Sequence, residues 1–520
     1  MHLPINLAND RSNPFLQNIF ENETLQLLLR IFAWYMLVSA WGFSIMSVPK
    51  SVGLLLFGAT FIPALLFFWF KPEYGLITYL FIVAGFFQYN FIEIAKIEAR
   101  DFLLFSLIGI NVLKALIDKD LRIAWWPNGG LLALFLFMAG FSILYALFYV
   151  KSETNWILGE ARIVIGYSVY FLVTWSINDK RAFRVLLFGS LMIGTLLCSI
   201  IIIQQFYGVD RLFLPTMTLP GWHVWDEGRF VRVVAPTMIH IFLMCMLSFG
   251  ITLKELLTGG AYWVWGINTA INAIGLLLTF TRSAWISSAI CILLIFVFLF
   301  PYYRQYLAKI VIFGTCIALF LVGGLGTLTQ YSEISIPFFS DIVDRFTSIF
   351  EVEATSNTAS LEWRKFEFQE AKKAIKKSPW FGVGLGGSYR TVQVFQGEAQ
   401  GLFVNRDISY ERIYRYTKFL HSGYLQIVVK MGIPTFLLFF FTYLKIIFDS
   451  IRSYFQLVEK YKSQLILVVL AIIPSGLLSL LFWAIFHEFF YSIGNTPFLG
   501  LALGILGLAN TLVDSSQELV

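Results

Sequence analysis

Long apolar runs, broken at intervals by short polar clusters, make up most of the chain. A transmembrane helix takes roughly 20 consecutive apolar residues. Such runs lie at 25–47, 51–70, 74–92, 101–117, 130–150, 158–177, 182–206, 233–253, 261–280, 283–300, 306–328, 422–444, 464–484 and 497–513. The pattern predicts about fourteen helices and an all-α, polytopic membrane fold. The run at 101–117 is short, and 261–300 can be divided in other ways. Residues 1–24 are polar and of mixed charge, so no cleavable signal is expected, and the first apolar run serves as its own insertion signal. The organisation predicted is a cytoplasmic tail at 1–24, a transmembrane bundle at 25–328, an extracytoplasmic loop domain at 329–421, further transmembrane helices at 422–513 and a cytoplasmic tail at 514–520.

Composition sharpens this picture. Of 520 residues, 58% are hydrophobic and 13% charged, against about 25% charged in a soluble domain. The mean hydropathy is +0.74. Too few polar residues remain to cover a water-soluble surface, which excludes a cytosolic enzyme, a secreted disulfide scaffold and a disordered chain. Lys and Arg together number 38 against 32 Asp and Glu, an excess too small to suggest a nucleic-acid partner. Cys198, Cys245, Cys291 and Cys316 all fall inside apolar runs without metal-ligand spacing, and read as buried inert thiols.

Basic residues in short loops set the orientation. With the N-terminus inside, the inside segments carry fourteen Lys and Arg, among them Lys71, Lys180 and Arg181, and the short outside segments carry eight. Two outside segments stand out, 207–232 and 329–421. The second is too long for a plain connector, and long loops of this kind are usually functional. Arg282 falls on the same side, so the extracytoplasmic face is where function is expected.

The long loop contains SLEWRKFEFQEAKKAIKKSPW, a predicted helix with Ser360 as N-cap and Pro379 as stop. Leu361, Phe368, Ala371 and Ile375 share one face, with Arg364 in its midst. Lys365, Lys372, Lys373 and Lys376 lie on another face and read as solvated or turned to lipid headgroups. A guanidinium on an apolar stripe needs an anionic partner, either a structural carboxylate or a bound phosphate. In PWFGVGLGGSYR the glycines at 382, 384, 386 and 387 make either a tight structural turn or a backbone open to close approach. There is no GK[ST] ending, so it is not a nucleotide P-loop. His421, in FLHSGYLQIVVKMGIP, stands where the loop re-enters the membrane. It is either an interfacial structural residue or a base able to take a proton from a hydroxyl.

Arginines at other outside helix ends extend the set. Arg282 opens a helix in TRSAW, Arg229 and Arg232 precede another in DEGRFVRVVAP, and Arg162 lies one turn into a third in GEARIVIGY. One such arginine is usually a snorkelling anchor. Several at one face suit a multiply charged anion, because the guanidinium fork matches phosphate oxygens. The apolar surroundings suit a lipid tail, and a lipid-linked phosphate or pyrophosphate follows. Metal chemistry is not indicated: His487 and Glu488 begin an HExxH pattern that fails at Tyr491.

These residues together resemble the O-antigen ligase / O-antigen polymerase superfamily of bacterial membrane glycosyltransferases. TRSAW resembles its T-x-S-R-x-x-W-like helix start, with Arg282 ahead of Ser283. RFVRVVAPTMIHIF resembles its arginine segment before a Pro-Asn helix, with Thr237 in place of Asn. WRKFEFQEAKKAIKKSPWFGVGLGGSY and HSGYLQIVVKMGIP resemble its Arg-to-glycine loop and the helix start that follows. The resemblance spans about 229–434 and implies a GT-C-like helical fold. It implies a polyprenyl-pyrophosphate-linked glycan donor and transfer to a hydroxyl of a saccharide or of lipid A-core, with inversion and without a metal or other cofactor. By position His421 matches the family's base, and Arg282, Arg232 and Arg364 its phosphate-contacting arginines. Tyr424, near His421, is expected to orient substrate. The implied setting is the bacterial inner membrane with the site facing the periplasm, and a chain-length regulator protein is a possible partner. The alternative is a transporter of a small bicarbonate-type anion or of a lipid-linked sugar. Transporters often show internal symmetry and midplane charges, whereas here no repeat is visible and the charges gather at one face.

Overall fold

The computed structural model describes residues 23–86, 93–94, 97–117, 128–177, 179–214, 222–226, 231–258, 262–299, 355–390, 417–458 and 465–517. The helices are α1 (Glu23–Met46), α2 (Lys50–Phe70), α3 (Pro72–Phe81), α4 (Ala99–Ile117), α5 (Gly129–Tyr145), α6 (Thr154–Ile165), α7 (Val169–Ser176), α8 (Lys180–Tyr207), α9 (Met238–Thr258), α10 (Tyr262–Leu277), α11 (Arg282–Leu299), α12 (Thr355–Lys377), α13 (Gly423–Leu457), α14 (Leu465–Trp483) and α15 (Thr496–Gln517). Two antiparallel hairpins accompany them, β1 (Glu93–Ile94) with β2 (Ile97–Glu98), and β3 (His223–Asp226) with β4 (Val231–Val234). The hairpins were not expected from apolar periodicity, which does not register such short strands.

Nine helical spans among the described residues are long and apolar enough to cross a membrane, and the chain is a multi-pass membrane protein. Thirteen of the fourteen predicted runs overlap described helices, the run at 74–92 only as far as residue 86, and the run at 306–328 lies outside the described residues. The count of membrane-length helices is below fourteen partly because α10 has 16 residues. α13 runs 35 residues, well past the expected end at 444. Its polar extension is supported by an i,i+4 pair, Lys445 Nζ donating to Asp449 at 2.7 Å.

The chain divides into two compact units, one of residues 1–110 with 177–193 and one of 111–176 with 194–520. In the first, α1 and α2 pair antiparallel, with Trp41 Nε1 donating to Thr60 at 2.8 Å and Trp34 stacked on Phe67 at 5.2 Å. Tyr35 is buried there, stacked on Phe81 at 4.5 Å with its hydroxyl on the Gly189 carbonyl at 3.0 Å. The second unit is centred on α9, α13, α14 and α15, whose inward faces are almost wholly buried. Close helix approaches fall at small residues: a side chain at Gly250 would meet Ile472, and one at Gly476 would meet Leu243. Cys198, Cys245 and Cys291 are free and buried in helix interfaces, whereas Cys316 lies outside the described residues.

Candidate active site around His421

α12 begins by Thr355 and ends at Lys377, two residues before Pro379, as a helix should. Its buried face carries Trp363, Phe366, Glu367, Glu370, Ala371 and Ala374. The expected stripe is rotated: Phe368 is 54% exposed, and two carboxylates turn inward in its place. Ala371 and Ala374 pack with Tyr389, Leu420 and Val429 in a satellite core, which clamps α12 against the start of α13.

The glycine run and α13 fit each other through a break in the helix. Gly432 takes a left-handed φ of 84°, and Pro434 follows it. Regular helix would carry the carbonyls of Val429 and Lys430 to the N–H groups of residues 433 and 434. Pro434 has none, and Ile433 N–H donates instead to the Pro379 carbonyl at 2.8 Å. The two freed carbonyls accept from the glycine loop, Val429 from Val383 N–H at 2.8 Å and Lys430 from Gly384 N–H at 3.1 Å. Unpaired carbonyls at membrane depth would be costly, so the loop and the kink satisfy one another. Gly382, Gly384 and Gly386 all have positive φ, and a side chain at Gly432 would collide with the Trp380 carbonyl. The structural-turn reading therefore accounts for the run.

A buried charge cluster fastens the same turn. Glu160 of α6 accepts from Lys430 Nζ at 2.5 Å, from Gly386 N–H at 2.7 Å and from the Tyr491 hydroxyl at 2.7 Å. Lys430 Nζ also donates to the Gly387 carbonyl at 2.7 Å, and Lys418 Nζ to that of Gly386 at 2.5 Å. Glu160 and Lys430 are essentially inaccessible, and such a pair persists only with its remaining valences filled, as here. Burial pushes Lys418 down to about 8.

His421 is held from three sides. Gln426 grips the backbone before it, its Oε1 accepting from Leu420 N–H at 2.7 Å and its Nε2 donating to the Lys418 carbonyl at 3.1 Å. Behind it, Gly423 N–H is shared between the carbonyls of Ala484 and His487, both at 2.9 Å. Beside it, Nδ1 lies 3.0 Å from each carboxylate oxygen of Glu367, which also accepts the His421 backbone N–H at 3.3 Å. A carboxylate can only accept, so Nδ1 carries a proton, and in the neutral ring Nε2 is the nitrogen with the free lone pair. The His421 side chain remains 45% exposed, while Glu367 is buried. Partial burial draws the imidazole pKa down, but the hydrogen bond and charge of Glu367, with the charge of Glu488, outweigh it and leave the pKa above 6.5.

Arg364 sits one turn before Glu367 on α12, its guanidinium 5.3 Å from the ring centre of Phe486. Among the described residues it forms no ion pair; its partners are that aromatic face and the nearby charge of Glu367. His487 completes the cluster. Burial, together with the positive charges of Arg364, His421 and Arg232, pushes it down to about 3. It is a neutral ring within the fields of two arginines and, when His421 is protonated, of the imidazolium.

The remaining predicted residues fall as follows. Arg232, on β4, is half-buried and within electrostatic reach of His487. Arg282 opens α11, which runs antiparallel to α14: Ser287 Oγ donates to the Ser479 carbonyl at 3.3 Å, and Cys291 lies near Gly476. Continuing that register sets Arg282 at the end of α14 that leads to His487. Arg162 is half-buried on α6, two residues beyond Glu160. Tyr424 donates its hydroxyl to the Leu481 carbonyl at 2.6 Å, tying the start of α13 to α14. Arg229 lies outside the described residues, as do 329–354 and 391–416 of the long loop. Sequence reasoning missed Glu367, Glu160, Lys430, Lys418 and the role of His487. For Glu160 and Lys430 the signal was present, a charge inside an apolar span.

Residues 267–440 match the family model Wzy_C, described as O-antigen ligase. A search of curated proteins finds no match. The matched segment includes Arg282, Arg364, Glu367, the glycine turn, His421 and the kink of α13, and it supports placing this chain in the O-antigen ligase / O-antigen polymerase superfamily.

Proposed function

We propose that this protein transfers a glycan from a polyprenyl-pyrophosphate-linked donor to a hydroxyl of an acceptor saccharide or of lipid A-core, at the extracytoplasmic face of the bacterial inner membrane. The observation that carries the reading is the His421–Glu367 pair just ahead of α13, with Arg364 near it and Arg232 within electrostatic reach of the neighbouring His487. Nε2 of His421 takes the proton of the acceptor hydroxyl as its oxygen attacks the anomeric carbon. The carbon–oxygen bond to the pyrophosphate breaks on the opposite side, giving inversion. The leaving group departs with the electron pair as polyprenyl pyrophosphate, an anion that needs no proton when arginines surround it. Glu367 fixes the tautomer of His421 and stabilises the imidazolium that forms. Arg364, Arg232 and Arg282 hold the pyrophosphate, with Arg229 and Arg162 as further contributors. The transporter alternative is not favoured, because the matched family is that of an O-antigen ligase.

The test is transfer in vitro by the purified full-length protein, from purified lipid-linked donor, with and without chelator. The expected result is chelator-resistant transfer that His421→Ala slows by about 10²–10⁴ while donor binding persists. Transfer by His421→Ala at the parental rate would overturn the base assignment, and loss of activity with chelator would overturn the metal-free chemistry.

A further inference from the structure

A second charged recess lies within the first unit, built from residues that the transfer chemistry does not use. The antiparallel register of α1 and α2, fixed by Trp41 on Thr60 and Trp34 on Phe67, sets Arg30 level with Lys71. The recess there has a volume of about 460 Å³ and is lined by Arg30, Lys71, Arg181, Glu73, Trp34 and Tyr74, within the usual range for a small-molecule site. α3 and α8 both start at its rim, at Pro72 and Lys180, so the positive ends of two helix dipoles add to the cations. Three cations and one acid line the recess, giving a net lining charge of +2. Asp179, close by, is engaged in capping α8 by accepting from Ala182 N–H at 2.7 Å.

Arg30, Lys71 and Arg181 are exposed and form no ion pair with a described residue, whereas Glu73 is buried. The flanking wall is apolar and open, with Leu37 60% and Phe67 38% exposed. A cationic mouth, an aromatic Trp and Tyr rim and an apolar side wall are what a lipid presents in mirror image: phosphate, glycerol backbone and acyl chain. The basic-residue asymmetry assigns Lys71 and Arg181 to the cytoplasmic side, where the leaflet is rich in anionic lipid.

We propose that this recess binds the phosphate headgroup of an anionic membrane lipid, with Arg30, Lys71 and Arg181 on the phosphate oxygens and the acyl chains along α1 and α2. The site is independent of the proposed transfer reaction and is tested by binding alone. Full-length protein is delipidated in detergent, and native mass spectrometry follows retention of added phosphatidylglycerol or phosphatidylcholine. Phosphatidylglycerol should be retained more strongly. The combined Arg30→Gln, Lys71→Gln, Arg181→Gln variant should lose at least about tenfold in apparent affinity, and Arg30→Gln alone about fivefold, given roughly 1 kcal/mol per cation near a charged surface. Arg30 is exposed, so the single variant remains informative if the triple variant does not fold. Arg184→Gln, exposed on α8 outside the recess, should bind as the parent does. Undiminished binding by both Arg30→Gln and the triple variant, or an equal loss in Arg184→Gln, would overturn the site. Displacement of the lipid by an equal concentration of inorganic phosphate would assign the recess to free phosphate instead and overturn the lipid.

Discussion

Glu367 and His421 stand 54 residues apart in the chain, yet the carboxylate receives both the ring Nδ1–H and the backbone N–H of the histidine. The first bond fixes the tautomer, and the second fixes where α13 begins relative to α12. One carboxylate therefore sets both the chemistry and the position of His421.

The pH dependence of transfer follows from this pair. A base must be neutral, so the rate should fall as pH drops through the folded pKa of His421, which lies above 6.5. His421→Ala should reduce the rate by about 10²–10⁴. Glu367→Gln removes the charge that raises the pKa, so the acid limb should move to lower pH while the maximal rate falls; Glu367→Asp should restore part of both. Initial rates between pH 5.5 and 8.5 measure this. An unmoved limb in Glu367→Gln would leave Glu367 a packing residue only.

Stability should show the opposite trend with pH. A histidine whose pKa is raised on folding contributes stability that is complete below its unfolded pKa of about 6.5 and is lost as pH rises through the folded value. The difference in thermal midpoint between the parent and His421→Ala should therefore be larger at pH 5.5 than at pH 8.5. The side chain is 45% exposed, so solvent screening keeps the difference small.

Arg364 tests the anion site. Arg364→Ala should weaken donor binding by about 10- to 150-fold, since a charge-assisted hydrogen bond is worth about 1.5–3 kcal/mol. Arg364→Lys should recover only part, because an ammonium keeps the charge but neither the fork nor the stacking on Phe486. Binding of labelled donor to detergent-solubilised protein is the measurement, and parental affinity in Arg364→Ala would reduce the residue to an anchor.

Gly432→Ala should destabilise the protein by about 1–3 kcal/mol or prevent its folding, because φ of 84° is strained for any L side chain and the added carbon meets the Trp380 carbonyl. Gly58→Ala, in α2 with open space around it, is the control and should leave the thermal midpoint unchanged or slightly raised.

The membrane orientation is checked by cysteine labelling in a cysteine-free background. Gly401→Cys should react from the extracytoplasmic side and Ser515→Cys from the cytoplasmic side. Labelling of Gly401→Cys from the cytoplasm alone would reverse the assignment and move the proposed site with it.

The sequence by itself determined what depends on local pattern. Apolar run length places the spans, because a helix must satisfy its own backbone bonds in lipid. Pro379 marks a helix stop because it lacks an N–H. His421 and Arg364 are legible because a polar group at the margin of an apolar segment is costly unless it has a purpose. Only the tertiary structure decided which residues meet. Glu367 belongs, by sequence, to a charged helix in which any face could turn inward, and the packing of Ala371 and Ala374 on Leu420 and Val429 chose the face. His487 gives no local sign of the groups that act on it, because Arg232, Arg364 and His421 come from β4, α12 and the segment just ahead of α13. The glycine run reads as a turn in isolation; that its N–H groups replace the bonds broken at Gly432 depends on two segments about 48 residues apart being folded against each other. Such pairings are set by long-range packing, which leaves no periodicity in the chain.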